Sequence, residues 1–184
     1  MISQTERLIL RNLNADDLEE LFDYRNAEAC SRFQRWEDTS KEYLKTFIDR
    51  YQKDIFLSDA PQQHYAISLK NGRLIGDIAY FYNAAEKCIT LGYTISYRYH
   101  RQGFAFEILS ALIPEIQRSY PDFELVALVE GENLPSIGLL QKLGFHRECY
   151  AEKIHSWIYC IPPAVKHETK EALLQANHCD KRKI

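Results

Sequence analysis

Residues 87–130 hold the most restrictive pattern in the chain. KCITLGYTIS (87–96) is rich in the β-branched and aromatic residues that strands favour. FAFEILSALIPEIQRSY (104–120) then switches to helical spacing, with Ala105, Ile108, Leu109, Leu112 and Ile116 on one face. FELVALVE (123–130) is apolar on both faces, as a central strand is. A strand–helix–strand unit of this kind closes with a right-handed crossover. The chain is therefore expected to be α/β, or α+β, with a mixed sheet.

The flanks fit one domain. RLILRNL (7–13) reads as an edge strand, and Asn14 caps a helix that carries Leu18, Leu21 and Phe22. Thr39 and Glu42 have capping-box spacing ahead of the stripe Tyr43, Leu44, Phe47, Ile48 and Tyr51. HYAISLK and RLIGDIAYFY flank Asn71-Gly72, which predicts a hairpin with a two-residue turn. Gly92 inside its strand suggests a bulge or a close approach. In NLPSIGLLQKLGF, Asn133 caps a short helix, Pro135 lies in its first turn and Gly144 ends it. Two last strands fill residues 146–160, with Cys149 and Cys160 placed to face each other across their hairpin. The domain is expected over 1–161, and 162–184 is a tail with one short helix near Glu168–Asn177.

Composition narrows the function classes. The net charge of −3 over 184 residues does not suit a nucleic-acid coat. No apolar run nears the roughly 20 residues of a membrane span. The start, MISQTERLILRNL, lacks a leader pattern. None of the five cysteines has C-x-x-C spacing, so no metal is expected. These readings predict a cytoplasmic protein with neither nucleic acid nor membrane as partner; a monomer is expected, or a homodimer through the last strands or the tail.

YRYHRQGFAFEIL (97–109) sits where the strand hands over to the helix. A helix start presents unpaired N–H groups and the positive end of the dipole, which suits an anion. Gly103 lets main chain come close, and Arg98 and Arg101 add positive charge. An ordinary helix start and a nucleic-acid contact are the alternatives.

Thirty residues on comes EGENLPSIGLLQKLGF. With both stretches, and with TERLILRNLNADDLEELFDYRN, LIGDIAY and LGYTIS, the chain resembles the GCN5-related N-acetyltransferase (GNAT) superfamily over roughly residues 5–160. It is most similar to the Rim-type branch, the ribosomal-protein N-terminal acetyltransferases. The resemblance implies a single domain with a mostly antiparallel sheet, flanked by helices, whose parallel fourth and fifth strands splay apart. It implies acetyl-coenzyme A as co-substrate and a primary amine as acceptor, a protein or peptide N-terminus or a small amine. Transfer would be by direct attack in a ternary complex; a coenzyme sensor without turnover is the alternative.

Site residues follow from the same resemblance. Main chain at Ile95 and from His100 through Arg101, Gln102, Gly103, Phe104 and Ala105, with Arg98 nearby, would hold the coenzyme; Asn133 and Ser136 would meet its pantetheine arm. His100 and Arg101 depart from the family's loop, and Arg101, at a frequent glycine, is expected to avoid a conformation only glycine tolerates. The family's usual tyrosine acid falls at Leu140, so Ser136 is the expected hydrogen-bond donor to the leaving sulfur. The Tyr93 N–H is the expected oxyanion donor, and Glu130 the first candidate base, ahead of His155 or a water relay. Phe33, Trp36 and His155 would border the acceptor, with Arg32 or Arg35 drawing an acidic group.

Overall fold

The structure is a computed structural model describing residues 2–165. The tail helix expected near Glu168–Asn177 lies outside them. Eight strands form one sheet: β1 (Ser3–Gln4), β2 (Leu8–Asn12), β3 (Gln62–Leu69), β4 (Leu74–Asn83), β5 (Cys88–Ile95), β6 (Glu124–Val129), β7 (His146–Ala151) and β8 (Ser156–Ile161). Their order is β1-β2-β3-β4-β5-β6-β8-β7. β5 and β6 are parallel, and the other neighbours are antiparallel. The helices are α1 (Leu18–Asn26), α2 (Glu28–Ser31), α3 (Lys41–Tyr51), α4 (Phe104–Ser119) and α5 (Leu134–Lys142).

Both faces of the sheet are covered, which explains the nearly continuous apolar runs in its middle strands. On β3, Tyr65 and Ile67 join the cluster of Ile108, Leu109, Leu112 and Ile116 from α4. Ala66, between them, faces Leu21, Tyr24, Leu44, Phe47 and Ile48 from α1 and α3. β6 lies inside the sheet, as its two apolar faces predict.

Several local expectations change. β2 is not the edge, because β1 pairs along it through Ser3↔Leu10 and Gln4↔Ile9. Ser40, not Thr39, caps α3 by accepting from the Tyr43 N–H at 3.3 Å; Thr39 donates instead to Asn26 at 2.8 Å. The β3–β4 turn is longer than two residues. Gly72 N–H bonds to Leu69 O, Leu69 N–H to Arg73 O, and of Asn71 and Gly72 only the glycine has positive φ. That is a type I turn closed by a left-handed glycine, the usual three-residue hairpin. β4 and β5 keep register straight through Ala79↔Gly92, so Gly92 makes no bulge. The tight glycine is Gly76, where a Cβ would lie 2.1 Å from Thr94 O on β5. Cys149 stands opposite Ile158 and Cys160 opposite His146, so the two cysteines do not face each other.

His64 on β3 is buried against Phe47 and Tyr51, with ring centroids 4.7 and 4.4 Å away. Burial pushes its pKa down to about 4, below the ordinary 6.5. The folded state therefore holds it neutral. Its contribution to stability is complete above pH 6.5 and falls away as pH drops toward 4, by up to roughly 3 kcal/mol. Urea unfolding of the wild type is expected to weaken across that window more than that of His64→Leu; matching profiles would contradict this.

Candidate functional site

The parallel pairing of β5 with β6 runs only from Cys88↔Glu124 to Thr90↔Val126. Beyond it β5 stays with β4 as far as Ile95↔Gly76, while β6 stays with β8 as far as Val129↔Trp157. The two strands part, and their inner edges face an opening. Ser96 N–H turns to Ile75 O on β4 at 2.7 Å. Main-chain direction alternates along a strand, so Ile95 and Tyr93 turn theirs to the opening. There Ile95 O meets His100 Nε2 at 2.8 Å, and Gln34 Nε2 approaches Tyr93 O at 3.5 Å and bonds to Thr94 Oγ1 at 3.1 Å.

α4 begins beside this opening. Gly103 has φ +81, and the first helical bond runs from Glu107 N–H to Gly103 O at 3.0 Å. The N–H groups of residues 101–106 donate no hydrogen bond among the described residues. Six unpaired main-chain donors and the positive end of a helix dipole thus lie at one corner, which suits a diphosphate. Arg101 does take up a left-handed conformation, with φ +61, against the expectation that it avoids one. A non-glycine residue there carries about 1–2 kcal/mol of strain, and the retained geometry leaves the corner open.

Arg7 braces the loop, which the sequence reading did not foresee. Its guanidinium bonds to Gln102 O at 3.0 Å, pairs with Glu107 at 2.6 Å and lies 4.3 Å over the Phe104 ring. Burial alone would raise the Glu107 pKa, but bonds from Thr5 and Arg7 outweigh it and hold the carboxyl below its ordinary range. Arg98 is engaged by Asp23 at 2.9 Å, an exposed pair that a phosphate could compete for.

Across the opening, Tyr93 Oη and Ser136 Oγ are 2.7 Å apart. Asn133 caps α5 by accepting from Ser136 N–H at 3.3 Å. That bond fixes the first turn and aims the serine. Burial pushes the Tyr93 phenol up to about 12, against a smaller lowering by Ser136. Leu140 is buried and apolar, so no acid stands there. Glu130 is half-buried, one residue past the end of β6.

Residues 31–39 pass between the two parted halves of the sheet: Gln34 reaches β5 and Arg35 reaches β8. Arg32 pairs with Glu132 at 3.0 Å, and Arg35 bonds to Ser156 Oγ at 2.8 Å and to Ile154 O. Both arginines therefore tie this segment to the far half of the sheet. A cavity of about 200 Å³ is lined by Arg25, Asn26, Ser31, Gln34, Trp36 and Thr39. Trp36 reaches it; Phe33 is absent from its lining and lies 5.0 Å from the Arg32 guanidinium. His155 is exposed in the β7–β8 turn, with φ +48.

Among the described residues no helix is long and apolar enough to cross a membrane. The structural neighbours share this architecture. A candidate ribosomal-protein-serine acetyltransferase from Vibrio cholerae superposes with a TM-score of 0.73 at 26% identity, covering 87% of this chain and 96% of its own. The microcin C7 self-immunity acetyltransferase MccE, solved with acetyl-CoA and AMP, superposes at 0.72 with 18% identity, covering 85% and 93%. The uncharacterized N-acetyltransferase YnaD of Bacillus subtilis is 22% identical over 158 residues, 86% of each chain. The family model for the acetyltransferase (GNAT) domain matches residues 7–146. This chain therefore belongs to the GNAT acetyltransferase family and is an acyltransferase.

Proposed function

We propose that this acyltransferase moves an acetyl group from acetyl-coenzyme A to a primary amine, a protein or peptide N-terminus or a small amine, in a ternary complex. The observation that carries this is the row of unpaired N–H groups at 101–106 beside the parting of β5 and β6. The residues fit the coenzyme. The corner offers donors for its diphosphate, and the parted edges of β5 and β6 offer main-chain partners to the pantetheine arm, with Asn133 nearby; on β5 these are N–H groups, since Ile95 O is met by His100 and Tyr93 O by Gln34. MccE, with the same fold, holds acetyl-CoA. The coenzyme supplies an activated acyl carbon. The ribosomal-protein-serine description of the Vibrio cholerae neighbour supports a Rim-type kinship and a protein as acceptor.

The chain's own groups divide the chemistry. An α-amine titrates near 8 and a lysine near ~10.4, so the α-amine is more readily neutral at pH 7. Glu130, His155 or an ordered water takes the proton the amine loses. The Tyr93 N–H, turned to the opening, stands ready for the developing oxyanion. Ser136 donates a hydrogen bond to the departing sulfur. Trp36 and the cavity beside it border the acceptor; Phe33 and His155, which do not line that cavity, are the further acceptor-side residues of this reading.

Thiol release from acetyl-CoA, followed over a panel of peptide N-termini and small amines, tests this reading. Release with at least one amine class supports it; coenzyme binding with no release from any amine favours a sensor of the same fold, which the apolar Leu140 would also suit. Ser136→Ala is expected to lower kcat about 10–100-fold with little change in KM, the loss of one bond to a charged group. Unchanged kcat would remove the serine from the chemistry.

A further inference from the structure

We propose that the Tyr93 hydroxyl is a positioning residue that holds Ser136 with its proton turned to the coenzyme's sulfur. This rests on the reading that the chain binds acetyl-CoA, and it concerns the side chain of Tyr93, apart from its main-chain N–H. The two oxygens are 2.7 Å apart, and the bond spans the opening from β5 to α5. Either hydroxyl has the geometry to donate. Chemistry decides the direction: a phenol is a far stronger acid than an alkyl alcohol, so it is the better donor and the poorer acceptor. Tyr93 therefore gives its hydrogen to Ser136 Oγ. Neither oxygen bonds elsewhere among the described residues, and the Asn133 bond to the Ser136 N–H fixes the turn that carries the serine. The serine hydrogen is left for the opening.

A hydroxyl that accepts one hydrogen bond donates a stronger one. As the C–N bond forms and the C–S bond breaks, the electron pair stays on sulfur, and Ser136 meets that charge. Both hydroxyls keep their protons. The proton lost by the amine passes to the base, and the thiolate later takes one from solvent. The high phenol pKa, about 12, agrees with a tyrosine that stays protonated throughout.

The test needs no acceptor. Coenzyme A is bound to the protein, and its thiol is titrated by the ultraviolet absorbance of the thiolate. Wild type is expected to hold the bound thiol pKa below that of free coenzyme A. Ser136→Ala should raise it by about one unit, and Tyr93→Phe, which keeps the ring, by about half a unit. In the Ser136→Ala background Tyr93→Phe should add nothing, because the tyrosine acts through the serine. A bound thiol pKa that Tyr93→Phe leaves unchanged would overturn the proposal, and so would an equal shift in both backgrounds. Failure of wild type to bind coenzyme A at all would instead refute the acetyl-CoA reading beneath it.

Discussion

Asp77→Ala is expected to destabilise the fold by about 3–5 kcal/mol, the cost of stranding a buried partner charge. Asp77 on β4 accepts from Tyr24 Oη at 2.7 Å and from Arg25 Nη2 at 2.8 Å, both on α1. The side chains of Arg25 and Asp77 are 2% and 6% exposed, so water cannot take over from the missing carboxylate. Arg25 Nε has no hydrogen-bond partner, but the guanidinium lies 4.3 Å from the Phe47 ring and 4.8 Å from Trp36. Those rings stabilise a cation only partly. Replacing both residues with apolar ones, Arg25→Met with Asp77→Leu, should recover most of the loss. Chemical unfolding measures both variants. An Asp77→Ala protein as stable as wild type would mean the pair contributes nothing. The position matters for the site as well. Asp77 stands opposite Thr94, next to Tyr93, and Arg25 lines the cavity beside Trp36.

Gly103→Val is expected to weaken coenzyme A binding by about 100-fold or more. Gly103 has φ +81, a region in which a β-branched residue is strained by about 1–3 kcal/mol. An added Cβ would sit 3.5 Å from Arg7 Nη2, an ordinary contact, so the strain lies in the backbone. The backbone has to turn to relieve the strain, and the unpaired N–H groups of 101–106 turn with it. Calorimetric titration with coenzyme A gives the affinity, and circular dichroism checks that the sheet persists. Gly103→Ala should fall between the two. Wild-type affinity in the valine variant would show that this corner does not grip the coenzyme.

Signals carried by neighbours in sequence could be read in advance. Gly103 ahead of a helical stripe marked the start of α4, Asn133 marked the cap of α5, and Gly144 marked its end. Signals carried by partners far apart could not. Arg7 braces a loop nearly a hundred residues away, and nothing in RLILRNL distinguishes it from a solvated charge. Asp77 is one polar residue within RLIGDIAYFY, and only the packing of α1 brings Tyr24 and Arg25 to it. Gly76 and Gly92 are the same letter in similar strands. Only the approach of Thr94 O decides which of them tolerates no side chain. Arg101 shows the opposite case. Residue preference argued against a left-handed conformation, and the loop between β5 and α4 imposed one. Likewise Ser136 was singled out from kinship with the family, whereas its bond to the Tyr93 hydroxyl depends on how β5 and α5 face each other across the opening.

The most direct measurement is a crystal structure grown with coenzyme A. The account predicts diphosphate oxygens about 3 Å from main-chain nitrogens within 101–106, with the pantetheine arm running between β5 and β6 toward Tyr93 and Ser136. Coenzyme bound elsewhere, or those N–H groups turned inward to other protein atoms in the complex, would contradict it.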